Sequence, residues 1–148
     1  MSVFADSSAL VKLYSDEPGH QDVRSIPVLV VSQIARVEVP AAIWRKSRTG
    51  DLMPEDARVL VADFESDYLG APDAAPRFAA ISLTATVIAS AARQCARHGL
   101  RAYDAVQLAS ATAARAAVPE CDTVAAFDAQ LRRAAAAEGF ALVPADLG

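Results

Sequence analysis

Four carboxylates stand apart from the rest of this sequence: Asp6, Glu38, Asp104 and Asp128. Most of the other acids sit in clusters, Asp16-Glu17, Asp51 to Asp56 and Asp63 to Asp67, which read as ordinary solvated surface charge. Glu38 is the only acid between Asp22 and Asp51 and borders an apolar stripe. Asp104, in "LRAYDAVQLASA", is the only acid between Asp73 and Glu120. Asp6 closes the apolar segment Val3-Phe4-Ala5, and Asp128 follows the run Thr123 to Phe127. A carboxylate at the edge of a buried face is costly unless it is paired, hydrogen-bonded or metal-bound.

Each acid also has a plain explanation of its own. Asp6 and Asp128 can cap the helices that follow them. Glu38 can pair with Arg36 or Arg45. Asp104 can occupy a first helical turn, where the helix dipole favours negative charge. Together the four have a common reading that these explanations lack. If they converge, mutual repulsion raises their pKa values and destabilises the fold. A divalent cation removes that conflict, and oxygen ligands without histidine or cysteine suit Mg²⁺ or Mn²⁺. Such ions polarise phosphoryl oxygens and activate water, the chemistry of phosphodiester hydrolysis. A zinc site is not expected: Cys95 and Cys121 are not in CxxC spacing, and His20 and His98 are expected in loops.

The elements that would position these acids alternate. Val3-Phe4-Ala5 reads as a buried strand, followed by a helix carrying Leu10, Leu13 and Tyr14 that Ser7 or Ser8 can cap. Val28 to Val31 is a second strand, with Ser32 as N-cap of a helix whose stripe is Ile34, Val37, Ala41 and Trp44. Pro40 should kink or interrupt that helix. A helix opens at Pro54, and Gly70 to Pro76 is loop. Arg77 to Ile81 reads as a third strand, and Thr84 caps a helix running toward Gly99. Further elements are a helix over 102–117, a strand over 123–127, a helix over 129–138 and a last strand over 140–143. This alternation predicts an α/β fold with a mainly parallel sheet, whose functional groups gather beyond the carboxyl ends of the strands. Asp6 and Asp128 both follow strands.

At 148 residues, 53% hydrophobic and 22% charged, the chain is expected to be a single globular domain over 1–148. No apolar run approaches the ~20 residues that span a bilayer. The opening Met1-Ser2-Val3-Phe4-Ala5-Asp6 lacks the pattern of a secretory signal, so a cytoplasmic location is expected. The net charge of −4 argues against a broad basic surface for nucleic acid. It does not exclude a nuclease whose metal ions reverse the local sign.

"VFADSSALVKLY", "ARVEVPAAIWRK", "LRAYDAVQLASA" and "TVAAFDAQLRRAAAAEGFALV" resemble, in order and rough spacing, the four motif blocks of PIN-domain ribonucleases. Within that family they are most similar to the VapC toxins of bacterial toxin–antitoxin pairs. The resemblance implies a three-layer α/β/α fold with a mainly parallel central sheet. It assigns Asp6, Glu38, Asp104 and Asp128 as the catalytic, metal-holding acids, with Ser8 as the supporting hydroxyl. It also implies Mg²⁺- or Mn²⁺-dependent cleavage of RNA, often a tRNA or rRNA, a homodimer, and a cognate VapB-type antitoxin whose tail enters the acidic groove. Arg45, Lys46 and Arg48 form a basic cluster that could touch the RNA backbone, or simply decorate a helix C-terminus.

The late block departs from the family pattern, because Ala126 stands where Thr or Ser is frequent. That leaves Asp122 as a substitute for Asp128. It also leaves room for a second class of function, an inactive binding module that sequesters an antitoxin or RNA. A third class, a haloacid-dehalogenase-type phosphatase, needs an Asp where Ser8 stands, and no Walker loop is present.

Overall fold

A computed structural model describes residues 1–147, and its strands alternate with helices. In chain order the elements are β1 (Ser2–Ala5), α1 (Ser7–Val11), α2 (His20–Arg24), β2 (Val28–Ser32), α3 (Ala35–Arg48) and α4 (Pro54–Leu69). The second half comprises β3 (Ala79–Ile81), α5 (Ala85–His98), α6 (Ala102–Ala117), β4 (Thr123–Ala125), α7 (Ala129–Ala137) and β5 (Ala141–Val143). The five strands form one sheet in the order β3-β2-β1-β4-β5, and every pairing is parallel.

Alternation along the central strands builds the three layers. Side chains of a strand point to opposite faces in turn. Val3 and Ala5 of β1, Leu29 and Val31 of β2, and Ala125 of β4 join one core, with Leu10, Val23, Val39, Ile43 and Phe64 from α1 to α4. Phe4, Val30 and Val124 face the other core, with Val87, Leu108 and Leu131 from α5, α6 and α7. Because helices cover both faces, the central strands read as continuous apolar runs rather than alternating ones.

Several local expectations change. The third strand shrinks to Ala79–Ile81. A short helix, α2, forms where only a break was expected, so His20 opens a helix, and His98 ends one. Ser32 does not cap α3: its Oγ accepts from Ile34 N at 3.2 Å, and the helix begins at Ala35. Pro40 does not interrupt α3, which runs unbroken to Arg48. The carbonyl deprived of a donor belongs to the exposed Arg36, where water can satisfy it. Thr84 and Gly99 behave as expected. Thr84 accepts from Val87 N, and Gly99 ends α5 with φ +64°, a left-handed turn that glycine adopts without strain.

Phe64 anchors the first core. It is fully buried among Tyr14, Tyr68 and Phe78, with ring centroids 5.9 to 6.2 Å away. Phe64→Ala should therefore cost about 3–5 kcal/mol in urea unfolding, as truncation of a core aromatic does. Val59→Ser on the exposed face of the same helix should stay within about 0.5 kcal/mol.

Candidate active site

The central strand sets the site. β1 pairs with β2 on one side and β4 on the other, so the chain leaves the carboxyl end of β1 at the point where the sheet order reverses. The backbone N–H of Asp6 extends the ladder to Ala125 O at 3.1 Å, which brings the turns after β1 and β4 side by side. Asp6, Glu38, Asp104 and Asp128 all line one open cleft of about 490 Å³ there, with Ser7, Ser8, Arg45, Arg101, Tyr103 and Gln107 among its other walls.

All four acids sit at helix N-termini. Asp6 is the N-cap of α1 and Asp128 the N-cap of α7, accepting from Ala9 N at 3.0 Å and Leu131 N at 2.9 Å. Glu38 and Asp104 lie in the first turns of α3 and α6. The plain explanations and the convergent one therefore hold together: each acid is individually favoured by a helix end, and the fold aims those helix ends at one cleft. The cap expected from Ser7 or Ser8 is supplied by Asp6 instead. Both serines lie inside α1, free for other contacts.

Those contacts fix which carboxylate oxygen is used. Ser8 Oγ donates to Asp6 Oδ1 at 2.7 Å and accepts from Phe127 N at 3.1 Å, tying the β1 turn to the β4 turn. Ala9 N also uses Oδ1, so Oδ2 takes no part in these bonds. Glu38 Oε1 accepts from Ser7 Oγ at 3.0 Å and from Gln107 Nε2 at 2.7 Å. Asp104 Oδ2 accepts from Arg101 at 3.1 and 3.3 Å, and the same guanidinium stands 3.6 Å from Asp128 Oδ1. Ser7, Gln107 and Arg101 were not foreseen as site residues. Gln107 has a sequence signal, since it follows Asp104 by three positions and so shares its helix face.

Asp6 carries the electrostatic cost. It is only 4% exposed. Burial pushes its carboxyl up from 3.8 to about 7; the bonds from Ser8 and Ala9 oppose the rise, and Glu38 and Asp104 add to it by repulsion. A buried acid crowded by two others, all offering oxygen, is a donor set that fits a hard divalent cation. Among the described residues, no three such side chains already converge on a point as ligands.

Asp122 lies at the opposite, amino-terminal end of β4 and is exposed, so it does not share the cleft. Ala126 is buried, and the hydroxyl it lacks is not missed by the turn, which Ser8 holds from across the cleft. The basic cluster is divided. Arg45 is exposed and lines both this cleft and an adjoining one of about 550 Å³. Lys46 lines only the adjoining cleft and is paired with Glu17, which also takes Lys12 at 3.2 Å. Arg48 lines neither. Lys12 itself is buried, 4.2 Å above the Phe127 ring. Gly19, with φ +89°, packs beneath that ring, where a Cβ would stand 2.5 Å from its edge.

The Asp6 pKa gives a pH prediction for the metal-free protein. Between about pH 4 and 7 the folded state holds a proton at Asp6 that the unfolded chain releases, so stability falls as pH rises through that window. Asp6→Asn keeps an acceptor for Ser8 and Ala9 but removes the charge. It should stabilise the EDTA-treated protein at pH 8 by roughly 2–4 kcal/mol and flatten that part of the pH profile, as read by urea denaturation.

Comparison with known proteins agrees with the geometry. The family model described as PIN domain matches residues 3–137. Ribonuclease VapC45 and Ribonuclease VapC49, from two strains of Mycobacterium tuberculosis, are each 34% identical over 149 aligned positions, covering 98% of this chain and 96% of theirs. In fold, the chain is similar to M. tuberculosis VapC20, a sarcin–ricin-loop-cleaving toxin, with TM-score 0.62 and 18% identity over 93% of this chain and 95% of that one. FitAcB from Neisseria gonorrhoeae gives TM-score 0.58 at 21% identity, over 90% and 93% of the two chains. With its acids at the switch point of a parallel sheet, this chain belongs to the PIN-domain family and is a VapC-type member of it.

Proposed function

We propose that this protein is a metal-dependent endoribonuclease, the toxin of a VapBC-type toxin–antitoxin pair. The observation that carries the reading is the meeting of Asp6, Glu38, Asp104 and Asp128, from four separate elements, in one cleft of a VapC-family chain. Two relatives bear the name ribonuclease, and the fold neighbour VapC20 cleaves the sarcin–ricin loop. The substrate class is accordingly RNA, with a structured tRNA or rRNA as the expected target.

Asp6, Asp104, Glu38 and Asp128 would hold Mg²⁺ or Mn²⁺. When bound, such an ion polarises the phosphodiester, lowers the pKa of water and stabilises the leaving oxygen. The chain's own groups do the rest. Ser8 bonds to one oxygen of Asp6, and Ser7 and Gln107 to one oxygen of Glu38. Arg101 partly neutralises the outer acids Asp104 and Asp128, and Arg45 stands where an RNA backbone would pass between the two clefts. The acidic cleft also suits a cationic segment of a VapB-type antitoxin as inhibitor, and a homodimer is the proposed assembly. The inactive binding module is not favoured, since the turn it was inferred from is held by Ser8.

Asp6→Asn or Asp104→Asn should lower RNA cleavage by roughly 100-fold or more, and EDTA should abolish it until Mg²⁺ or Mn²⁺ is restored. Normal cleavage by either variant, or in EDTA, would refute the proposal. Arg45→Ala should weaken binding of a single-stranded oligoribonucleotide and reduce its salt slope by about 0.7, one phosphate contact. An unchanged slope removes Arg45 from the RNA path.

A further inference from the structure

Gln107 is a buried side-chain amide in the wall of the cleft, 2% exposed on α6. Its Nε2 reaches two elements far away in sequence: Ser7 Oγ of α1 at 2.9 Å and Glu38 Oε1 of α3 at 2.7 Å. Ser7 Oγ, having accepted from Gln107, spends its own proton on the same Glu38 Oε1 at 3.0 Å. The three side chains close a small ring of donors around one oxygen of Glu38. The direction of the ring is fixed. A flipped amide would set its oxygen against the Glu38 carboxylate, acceptor to acceptor.

The other end of the amide is unsatisfied. Gln107 Oε1 is buried with no hydrogen-bond partner among the described residues. A buried acceptor left in that state is a net cost to the fold and calls for an explanation. An apolar side chain of similar length would spare α6 that cost. It could not donate to Glu38. The deficit and the donated bond together point to a task at the cleft rather than in the core.

We propose that Gln107, with Ser7, is a positioning residue for Glu38. It occupies Oε1 so that Oε2 alone is offered to the metal ion, and it locks the α6 side of the cleft to the α1 and α3 side. The inference rests on the reading of the four acids as a metal site. Groups that orient a metal ligand typically contribute 10–100-fold to metal affinity although they never touch the ion.

The test is Mn²⁺ titration of the purified full-length protein, followed by electron paramagnetic resonance, with thermal melting of the metal-free form beside it. Gln107→Met should weaken Mn²⁺ binding roughly 10–100-fold while the metal-free melting temperature holds or rises. Ser7→Ala should weaken binding in the same direction by less, and it decides the matter if Gln107→Met does not fold. Asp6→Asn serves as the control that the ion sits among the acids. Loss of Mn²⁺ in that control with unchanged affinity in Gln107→Met, or in Ser7→Ala if that variant has to decide, overturns the positioning role alone. A lower melting temperature with unchanged affinity gives Gln107 a purely structural role and overturns it too. Absence of Mn²⁺ binding in the unsubstituted protein, or full binding by Asp6→Asn, overturns the metal site and this inference with it.

Discussion

The burial of Asp6 beside two other acids is the constraint to which the rest of the cleft answers. A carboxylate at the end of the central strand, buried and facing Glu38 and Asp104, cannot be both charged and comfortable. The fold meets the problem piecemeal. Helix ends offer each acid a partial positive field, Ser8 and Ala9 bond to Asp6, and Arg101 spans Asp104 and Asp128. These offset the cost of burial and repulsion without removing it. What remains is a cleft whose acids keep part of that cost.

The same contacts divide each acid between two tasks. One oxygen of Asp6 and one of Glu38 are committed to the protein, Oδ1 to α1 and Oε1 to the Ser7–Gln107 pair. These bonds tie a strand end and a first helical turn to the helices around them. Ser8 extends the effect across the sheet, since its hydroxyl joins the Asp6 turn to the turn that presents Asp128. The side chain that caps α1 also lines the cleft.

Beyond the acids the cleft continues over α3 into the space lined by Lys12, Arg45, Lys46 and Phe127. Its cations are largely spoken for. Burial disfavours the charge on Glu17, yet hydrogen bonds from Lys46 and Lys12 hold its carboxyl below the ordinary range. Among the described residues Arg45 is the exception, exposed and at the seam of the two clefts. The acidic net charge of the chain is thus compatible with a nucleic-acid substrate approached through a few placed groups rather than a broad basic face.

The sequence by itself determined the alternation of strands and helices and singled out the isolated acids. Apolar runs such as Val28 to Val31 fit strands buried on both faces, Thr84 and Gly99 marked the ends of α5, and the isolation of Glu38 and Asp104 among apolar residues marked them as unusual. Those signals are local, and local physics of strand period, capping and desolvation suffices to read them. Gln107 and Ser7 were not legible, because a glutamine in an alanine-rich helix and a serine in a capping stretch are ordinary until partners 69 and 31 positions away are set beside them. For Asp122 and Asp128 the sequence already favoured the acid that follows the strand. What the parallel pairing of β1 and β4 decides is that the carboxyl end of β4, and Asp128 with it, lies beside Asp6. Tertiary structure also dissolved the choice between cap and ligand at Asp6: a carboxylate has two oxygens, and the fold has committed only one.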